Sequence, residues 1–342
     1  MNSLGKNFVF TSFGESHGRA IGGVLDGVPA GVEINFDMIR QQLDRRAGRA
    51  PQDNSKFSIQ NSQLPTSPRA SREADKVEWL SGVLDGVTLG TPIAFIVRNQ
   101  DARPEDYEWL KHSFRLGHAD RTYLEKYGIR DHRGGGRASA RETASRVVAG
   151  SIALQLLAER NIHISAQLIQ VGTETNPNHF QDYIEKIRQA GDSIGGIIEC
   201  TITGLPIGVG EPIFDKLQSH LAFAIMSINA CKGFEYGSGF EHIALTGSEM
   251  YLSDNHLLIS GGIAGGISDG FPLTFRCVFK PTASNRQTLK ALKSECLEEN
   301  NPKFIIQNST FPLGRHDACV AVRAVPVVEA MTALVLQDLL SE

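Results

Sequence analysis

The chain has 342 residues, 41% of them hydrophobic and 21% charged, the make-up of an ordinary soluble globular protein with length enough for a sizeable core. A formal net charge of −4 argues against general nucleic-acid affinity, so any cationic cluster must be a local feature. The five cysteines (Cys200, Cys231, Cys277, Cys296, Cys319) are widely spaced without a CxxC pair, which indicates neither a zinc site nor a disulfide framework; with no signal-like start and no 18-residue apolar run, a reduced, cytoplasmic protein without a membrane segment is expected.

In chain order, a strand-like run at 7–13 ends in Gly14-Glu15-Ser16-His17-Gly18. Phe36, Ile39 and Leu43 mark a helix face, followed by Asp44-Arg45-Arg46-Ala47-Gly48-Arg49. The polar stretch 47–68 lacks periodicity and reads as a mobile loop, not a domain boundary. A second strand run covers 91–99. An apolar helix carrying Val147, Val148, Ile152, Leu156 and Leu157 stops near Asn161. Further strand runs fall at 163–172, 196–203, 242–246, 256–260 and 273–280. Between them, Phe180, Ile184 and Ile187 predict a helix ending at Gly191, and Phe214, Leu217, Leu221, Ile225 and Ile228 a longer one. Ser284-x-x-Gln287 opens another helix, and Pro326 opens the last, over 327–340. Strands in runs favour an α+β fold over a doubly wound sheet, in a single domain spanning 1–342.

The segment from His118 to Thr143 holds two histidines, five arginines (Arg121, Arg130, Arg133, Arg137, Arg141) and the triplet Gly134 to Gly136. Guanidinium groups grip phosphate or carboxylate bidentately, and bare glycine lets backbone N–H groups approach the same oxygens. Ser139-Ala140-Arg141-Glu142 has the pattern of a capping box, placing the loop at the positive end of a helix. A run of charge is more often a solvated face, but this one is embedded in apolar periodic sequence, which favours a site for a small, multiply charged anion. His17, between glycines at a strand exit, is placed to transfer a proton, although a turn histidine without function explains it equally well. The Met226–Gly233 stretch, the glycine-rich Gly261–Gly270 stretch, Lys280-Pro281-Thr282-Ala283-Ser284 and Gly314-Arg315-His316-Asp317 suit a nucleotide-like cofactor or an anion, and each could also be plain turn chemistry.

Taken together, GESHG, HAD…TY…KYGIRD-x-RGGGR-x-SARET, GDSIGG, GEPIFDKL, MSINA-x-KG, GGI-x-GGIS, KPT-x-S and GRHD-x-C…RAVPVVEAM appear in the order in which they occur in the chorismate synthases, and the chain resembles that family over nearly its whole length. The resemblance implies a β-α-β sandwich with a helical core between two antiparallel sheets, assembled as a homotetramer. It implies a lyase that converts 5-enolpyruvylshikimate 3-phosphate to chorismate, the last step of the shikimate pathway to the aromatic amino acids. Phosphate and the C6 hydrogen leave in an anti 1,4-elimination that requires reduced FMN without net redox change. In the family picture the flavin lends electron density as phosphate departs and recovers it as the hydrogen is lost. His17 then manages protonation at the flavin and His118 assists the departing phosphate, while Asp317, with Ser16 and Ser139, relays the proton accepted at the flavin. Arg137, Ala138, Ser139, Asn229, Ala230, Gly265, Lys280, Pro281, Thr282, Ala283, Ser284 and Arg315 match flavin-contacting positions. Arg46 matches an arginine of the anion site, with Arg49, Arg130 and Arg133 as further substrate candidates.

Departures from the family pattern are Ala138 for a serine, His132 for a tyrosine, Ala283 for a serine and Ala318 for a proline; the long 47–68 segment leaves the match of Arg49 open. No reductase domain is evident, so an external flavin reductant is expected, with direct reduction by NADPH left open. Two other readings compete. An RNA-binding protein needs interleaved aromatics on a broad basic face, which the sequence lacks. A flavin-free phospho-sugar lyase or transferase is separated by the flavin dependence of activity.

Overall fold

The computed structural model describes residues 1–49, 64, 75–100, 102–112, 114–115, 117–252, 259–283, 285–288 and 317–341. Two antiparallel sheets frame the fold. The first has the order β1 (Ser3–Leu4), β2 (Val9–Phe13), β3 (Ala20–Asp26), β7 (Ile93–Arg98) and β4 (Val77–Trp79). The second has the order β10 (Cys231–Tyr236), β13 (Leu273–Phe279), β9 (Gly196–Thr203) and β8 (His163–Val171). Two short hairpins pair β5 (Val83–Leu84) with β6 (Val87–Thr88), and β11 (Ile263–Ala264) with β12 (Ile267–Ser268). In β13 the alternation is regular: Leu273, Phe275, Cys277 and Phe279 are buried while Thr274, Arg276 and Val278 face outward, as a sheet covered on one side requires.

The other side of each sheet packs on helices. These are α1 (Phe36–Ala47), α3 (Thr143–Glu159) and α7 (Ala321–Leu339), with α2 (Asp120–Tyr127), α4 (Phe180–Ala190), α5 (Leu217–Met226) and α6 (Gly247–Tyr251) arranged around them. Helix α3 meets β2, β3 and β7 of the first sheet, α7 meets β8 and β9 of the second, and α3 and α7 pack on each other. Both are apolar nearly all round, which fits a layer enclosed on both faces. Their approach is close: a Cβ at Gly150 would lie 2.4 Å from the Ala330 Cβ. The α+β sandwich, sheet–helices–sheet, is therefore as expected.

Several elements differ from the sequence expectation. Residues 242–246 form no strand; a 3-10 turn over Gly239–Ala244 leads to Thr246, which caps α6 in a capping box with Glu249. Of 256–260, residues 256–258 lie outside the described residues. The helix read from Phe214 starts at Leu217, and Phe214 is exposed. The last helix starts at Ala321, so Pro326 lies inside it. Ser139 does not cap α3: its hydroxyl accepts from Arg141 N (3.3 Å) in a 3-10 turn, Glu142 turns to Arg146 instead, and α3 begins at Thr143. Strands β3, β4 and β10 were not expected. Most of the 47–68 segment lies outside the described residues; Ala47 ends α1, with Gly48 as its left-handed cap.

Candidate active site

The GESHG loop leaves the end of β2 and meets the glycine triplet. Ser16 N donates to Gly136 O (3.4 Å), as does Ser139 N (3.5 Å). Arg137 reaches beneath the loop, donating to Ser12 Oγ (2.7 Å), Ser12 O (3.3 Å) and Gly14 O (3.2 Å). His17 is buried, its Nδ1 3.1 Å from Ser16 Oγ, and its ring stands edge-on to Tyr107 at 4.7 Å. On its other side Gly134, at φ +81°, leaves room that no side chain could share, since a Cβ there would be 2.2 Å from His17 Nδ1.

A carboxylate organises the histidine-and-arginine group beside it. Asp120, buried at the start of α2, accepts from Arg115 Nε (2.8 Å), Arg115 Nη2 (2.8 Å) and Arg115 N (3.1 Å). His118 Nδ1 is 3.0 Å and Arg130 Nη1 3.5 Å from its Oδ1. Burial alone would raise this carboxyl, but hydrogen bonds from Arg115 and His118 hold it well below the usual carboxylate range. Arg115 Nη2 also donates to Gly134 O (2.9 Å), tying the cluster to the glycine triplet. Arg130 additionally donates to Leu110 O and lies over the Phe114 ring at 5.2 Å. One carboxylate against two guanidinium groups leaves an excess of positive charge before His118 is counted.

A second cluster lies at the C-terminal end of α1. Arg46 is 2% exposed and donates to Thr143 Oγ1 (3.0 Å), Asp75 Oδ2 (3.3 Å) and Ala140 O (2.8 Å). Burial, and then the neighbouring Arg323, push its guanidinium below the ordinary arginine value. Arg141 shares Asp75 and also donates to Asn99 Oδ1 (2.9 Å) and Arg98 O (3.2 Å). Burial would raise the Asp75 carboxyl, but the charges of Arg141 and Arg46 hold it below its usual range. Arg323 joins this cluster to the next, donating to Arg46 O (3.1 Å) and Asp317 Oδ2 (2.8 Å).

The circuit closes through the end of β13. Thr282 Oγ1 donates to Asp317 O (3.0 Å), Ser193 and Asn285 hold Thr282 O, and Lys280 Nζ donates to Gly117 O (2.8 Å), next to His118. Lys280 N donates to Ala230 O (3.0 Å). Contacts and short steps along the chain therefore run from His17 through Gly134, Arg115, His118, Gly117, Lys280, Thr282, Asp317, Arg323, Arg46 and Ala140 back to Ser139.

The residues present fit a nucleotide-like group on three observations. The Asn229 Oδ1 is buried without a hydrogen-bond partner, an acceptor suited to a ring N–H or a ribityl hydroxyl. Ala230 beside it holds φ +68°, strain of a kind that gathers at ligand sites. At Gly136 no atom lies within 4 Å of where a Cβ would stand, so the backbone there is open.

The circuit thus unites His17, His118, Ser16, Ser139, Arg137, Ala138, Arg46, Arg130, Asp317, Ala230, Lys280 and Thr282, with Asn229, Pro281 and Ala283 adjoining in sequence. Gly265 stands apart: it turns the β11–β12 hairpin near Leu217, at the opposite end of α5 from Asn229. Arg133 is half exposed and clasped by Asp131 (2.8 and 2.9 Å), and Arg49 is paired with Asp44 (2.7 Å). Ser284 and Arg315 lie outside the described residues. Sequence reasoning passed over Arg115, Asp120, Tyr107, Asp75 and Arg323. Asp120, inside the His118 block, and Arg323, at the head of the RAVPVVEAM motif, lay in stretches the sequence singled out, but neither was assigned a role.

Fold and site define an α+β protein in which buried arginines and two histidines are gathered into one connected group of charged side chains. The chorismate synthase family model matches residues 8–340. A protein of Christiangramia forsetii named chorismate synthase is 45% identical, covering 98% of this chain and 96% of its own. One of Nitrosomonas europaea with the same name is 43% identical, covering 98% and 87%. A crystal structure described as chorismate synthase superposes with a TM-score of 0.70 at 26% identity, covering 98% of this chain and 92% of its own. The chain belongs to the chorismate synthase family. The alignment to the first relative runs over 366 positions against 342 residues here, so that relative contains stretches this chain lacks.

Proposed function

We propose that the protein is a lyase that eliminates phosphate and the C6 hydrogen, in the anti 1,4 sense, from 5-enolpyruvylshikimate 3-phosphate to give chorismate, the last step of the shikimate pathway. The observation that carries this reading is the closed circuit of residues in which Arg115, Arg130, Arg46, Arg323 and Lys280 meet His17, His118 and Asp317. A substrate with one phosphate and two carboxylates needs such a set of donors, each charged hydrogen bond contributing about 1.5–3 kcal/mol.

Within this reading, reduced FMN supplies transient electron density without net redox change, held by Arg137, Ala138, Ser139, Asn229, Ala230 and Lys280 to Ser284, with Arg315. His118 hydrogen-bonds the departing phosphate, and the net positive charge around Asp120 stabilises the charge that develops there. His17, fixed by Ser16, Gly134 and Tyr107, manages protonation at the flavin edge; Asp317, Ser16 and Ser139 complete the proton path. Arg46 and Arg130, with Arg133 and Arg49 at the margin, hold the substrate's anionic groups. An external reductant keeps the flavin reduced. Homotetramer assembly is supported by exposed apolar side chains such as Phe240, Ile243 and Leu252, and a cytoplasmic setting by the buried free thiols of Cys200, Cys231, Cys277 and Cys319. Anaerobic incubation with the substrate and reduced FMN tests the activity: phosphate and chorismate are expected in equal amounts, and phosphate without chorismate would point to the flavin-free lyase instead.

A further inference from the structure

The hydrogens of Arg115 decide which nitrogen of His118 carries a proton. Both Arg115 Nη2 (3.2 Å) and Asp120 Oδ1 (3.0 Å) lie within reach of His118 Nδ1. The first contact would make Nδ1 an acceptor, the second a donor. Nη2 has two hydrogens, and shorter bonds use both: one to Asp120 Oδ1 (2.8 Å), one to Gly134 O (2.9 Å). Nothing is left on Nη2 to donate to Nδ1. The Nδ1 proton must therefore be on the imidazole and point at Asp120.

We propose that Asp120 is a positioning residue for the elimination: it holds His118 with a proton on Nδ1 and its Nε2 turned to the leaving phosphate. This rests on the phosphate-eliminating reading above. The second-sphere logic is that of any buried carboxylate behind a histidine, which sets the tautomer and supports the charged ring. With Nδ1 committed, Nε2 is the one ring nitrogen able to meet substrate. Once the ring holds both protons, Nε2–H donates to the bridging oxygen as the C–O bond breaks, and the positive ring faces the new phosphate charge while Asp120 balances it from behind. Arg115 and Arg130 are the other charged groups against Asp120; Lys280, through Gly117 O, and His17, across Gly134, flank the same space. Asp120 itself is anchored by three donors of Arg115, so the ring's orientation follows from contacts made before any substrate arrives.

Asp120→Asn keeps the shape but offers an amide. An amide oxygen satisfies Arg115, which turns the amide N–H toward Nδ1 and moves the neutral ring's proton to Nε2. The test is 15N NMR of histidine-ring-labelled full-length protein, with His118 assigned by a His118→Gln variant, before and after inorganic phosphate is added. The expected results are an Nδ1–H ring in the wild type, an Nε2–H ring in Asp120→Asn, and a phosphate response larger at Nε2 than at Nδ1. In turnover, kcat of Asp120→Asn should fall by about 10²–10⁴-fold with KM changed far less. A neutral wild-type ring protonated on Nε2 overturns the proposal, as does a variant whose loss lies in KM alone. The NMR result stands without catalysis, so a protein inactive on the phosphate substrate but carrying the Nδ1–H ring would refute the functional reading and uphold the role of Asp120 in fixing the ring.

Discussion

Gly134 holds a backbone conformation that side chains rarely adopt, in the space that His17 occupies. Two costs therefore meet in Gly134→Ala: about 1–3 kcal/mol of backbone strain, and displacement of the His17 ring. The expected outcome is a kcat reduced to near that of His17→Ala, with the protein still folded; steady-state kinetics beside circular dichroism checks it, and wild-type turnover would remove the packing argument for His17. At this scale the sequence was partly legible. The density of arginine and glycine around 130–141 pointed to the site, because each residue type has a chemical reason to be there. The hub at Asp120 was not legible, since one of four acids among five arginines reads as charge balance. Asp75 was out of reach altogether, and Arg323 was legible only as the head of the RAVPVVEAM motif, because tertiary packing alone brings them to Arg46.

At the level of elements, the contact between α3 and α7 sets the spacing of the helical layer. Gly150→Val would force a branched side chain into the Ala330 backbone. A destabilisation of about 1–3 kcal/mol is expected from overpacking, read as a lowered urea midpoint with unchanged m-value. The two ion-pair clusters, one at the start of α2 and one between the end of α1 and the start of α3, give the fold an acid sensitivity. The folded carboxyls of Asp120 and Asp75 lie below their unfolded values, so their contribution is fully present above about pH 4 and is lost as pH falls from there towards the folded values. Replacing Asp120 with Asn should flatten the fall in stability between about pH 4 and pH 2; urea titrations at several pH values measure it, and an unchanged slope would contradict the ion-pair assignment. Helix α4 was legible because Phe180, Ile184 and the Gly191 cap are local signals. Strand β3 was not: Gly22 and Gly23 dilute its strand character, and they are there because Phe95, Phe13 and Phe10 fill the space a Cβ would take. Strand β10, with Lys232 and Gly233 near its start, hides for a similar reason.

For the whole molecule, both sheets share one layer of helices and one connected apolar core, which runs from Phe8 and Phe95 through α3 and α7 to Phe275. We propose that the chain unfolds as a single domain, with one calorimetric transition whose measured enthalpy per cooperative unit equals the van't Hoff value. Two resolved transitions would divide it. The order of strands in each sheet could not be read from the chain, because pairs such as β9 with β13 join residues 71 (Leu273 with Ile202) to 83 (Phe279 with Gly196) positions apart and local pattern carries no record of them. The α+β class itself was readable from the succession of strand-like runs.

The measurement that bears most directly on the account is an anaerobic assay with 5-enolpyruvylshikimate 3-phosphate, with and without reduced FMN, comparing the wild type with His118→Ala. The account predicts chorismate and phosphate only when reduced FMN is present, and a rate about 10²–10⁴-fold lower in the variant. Equal turnover without flavin, or an unimpaired His118→Ala, would contradict it.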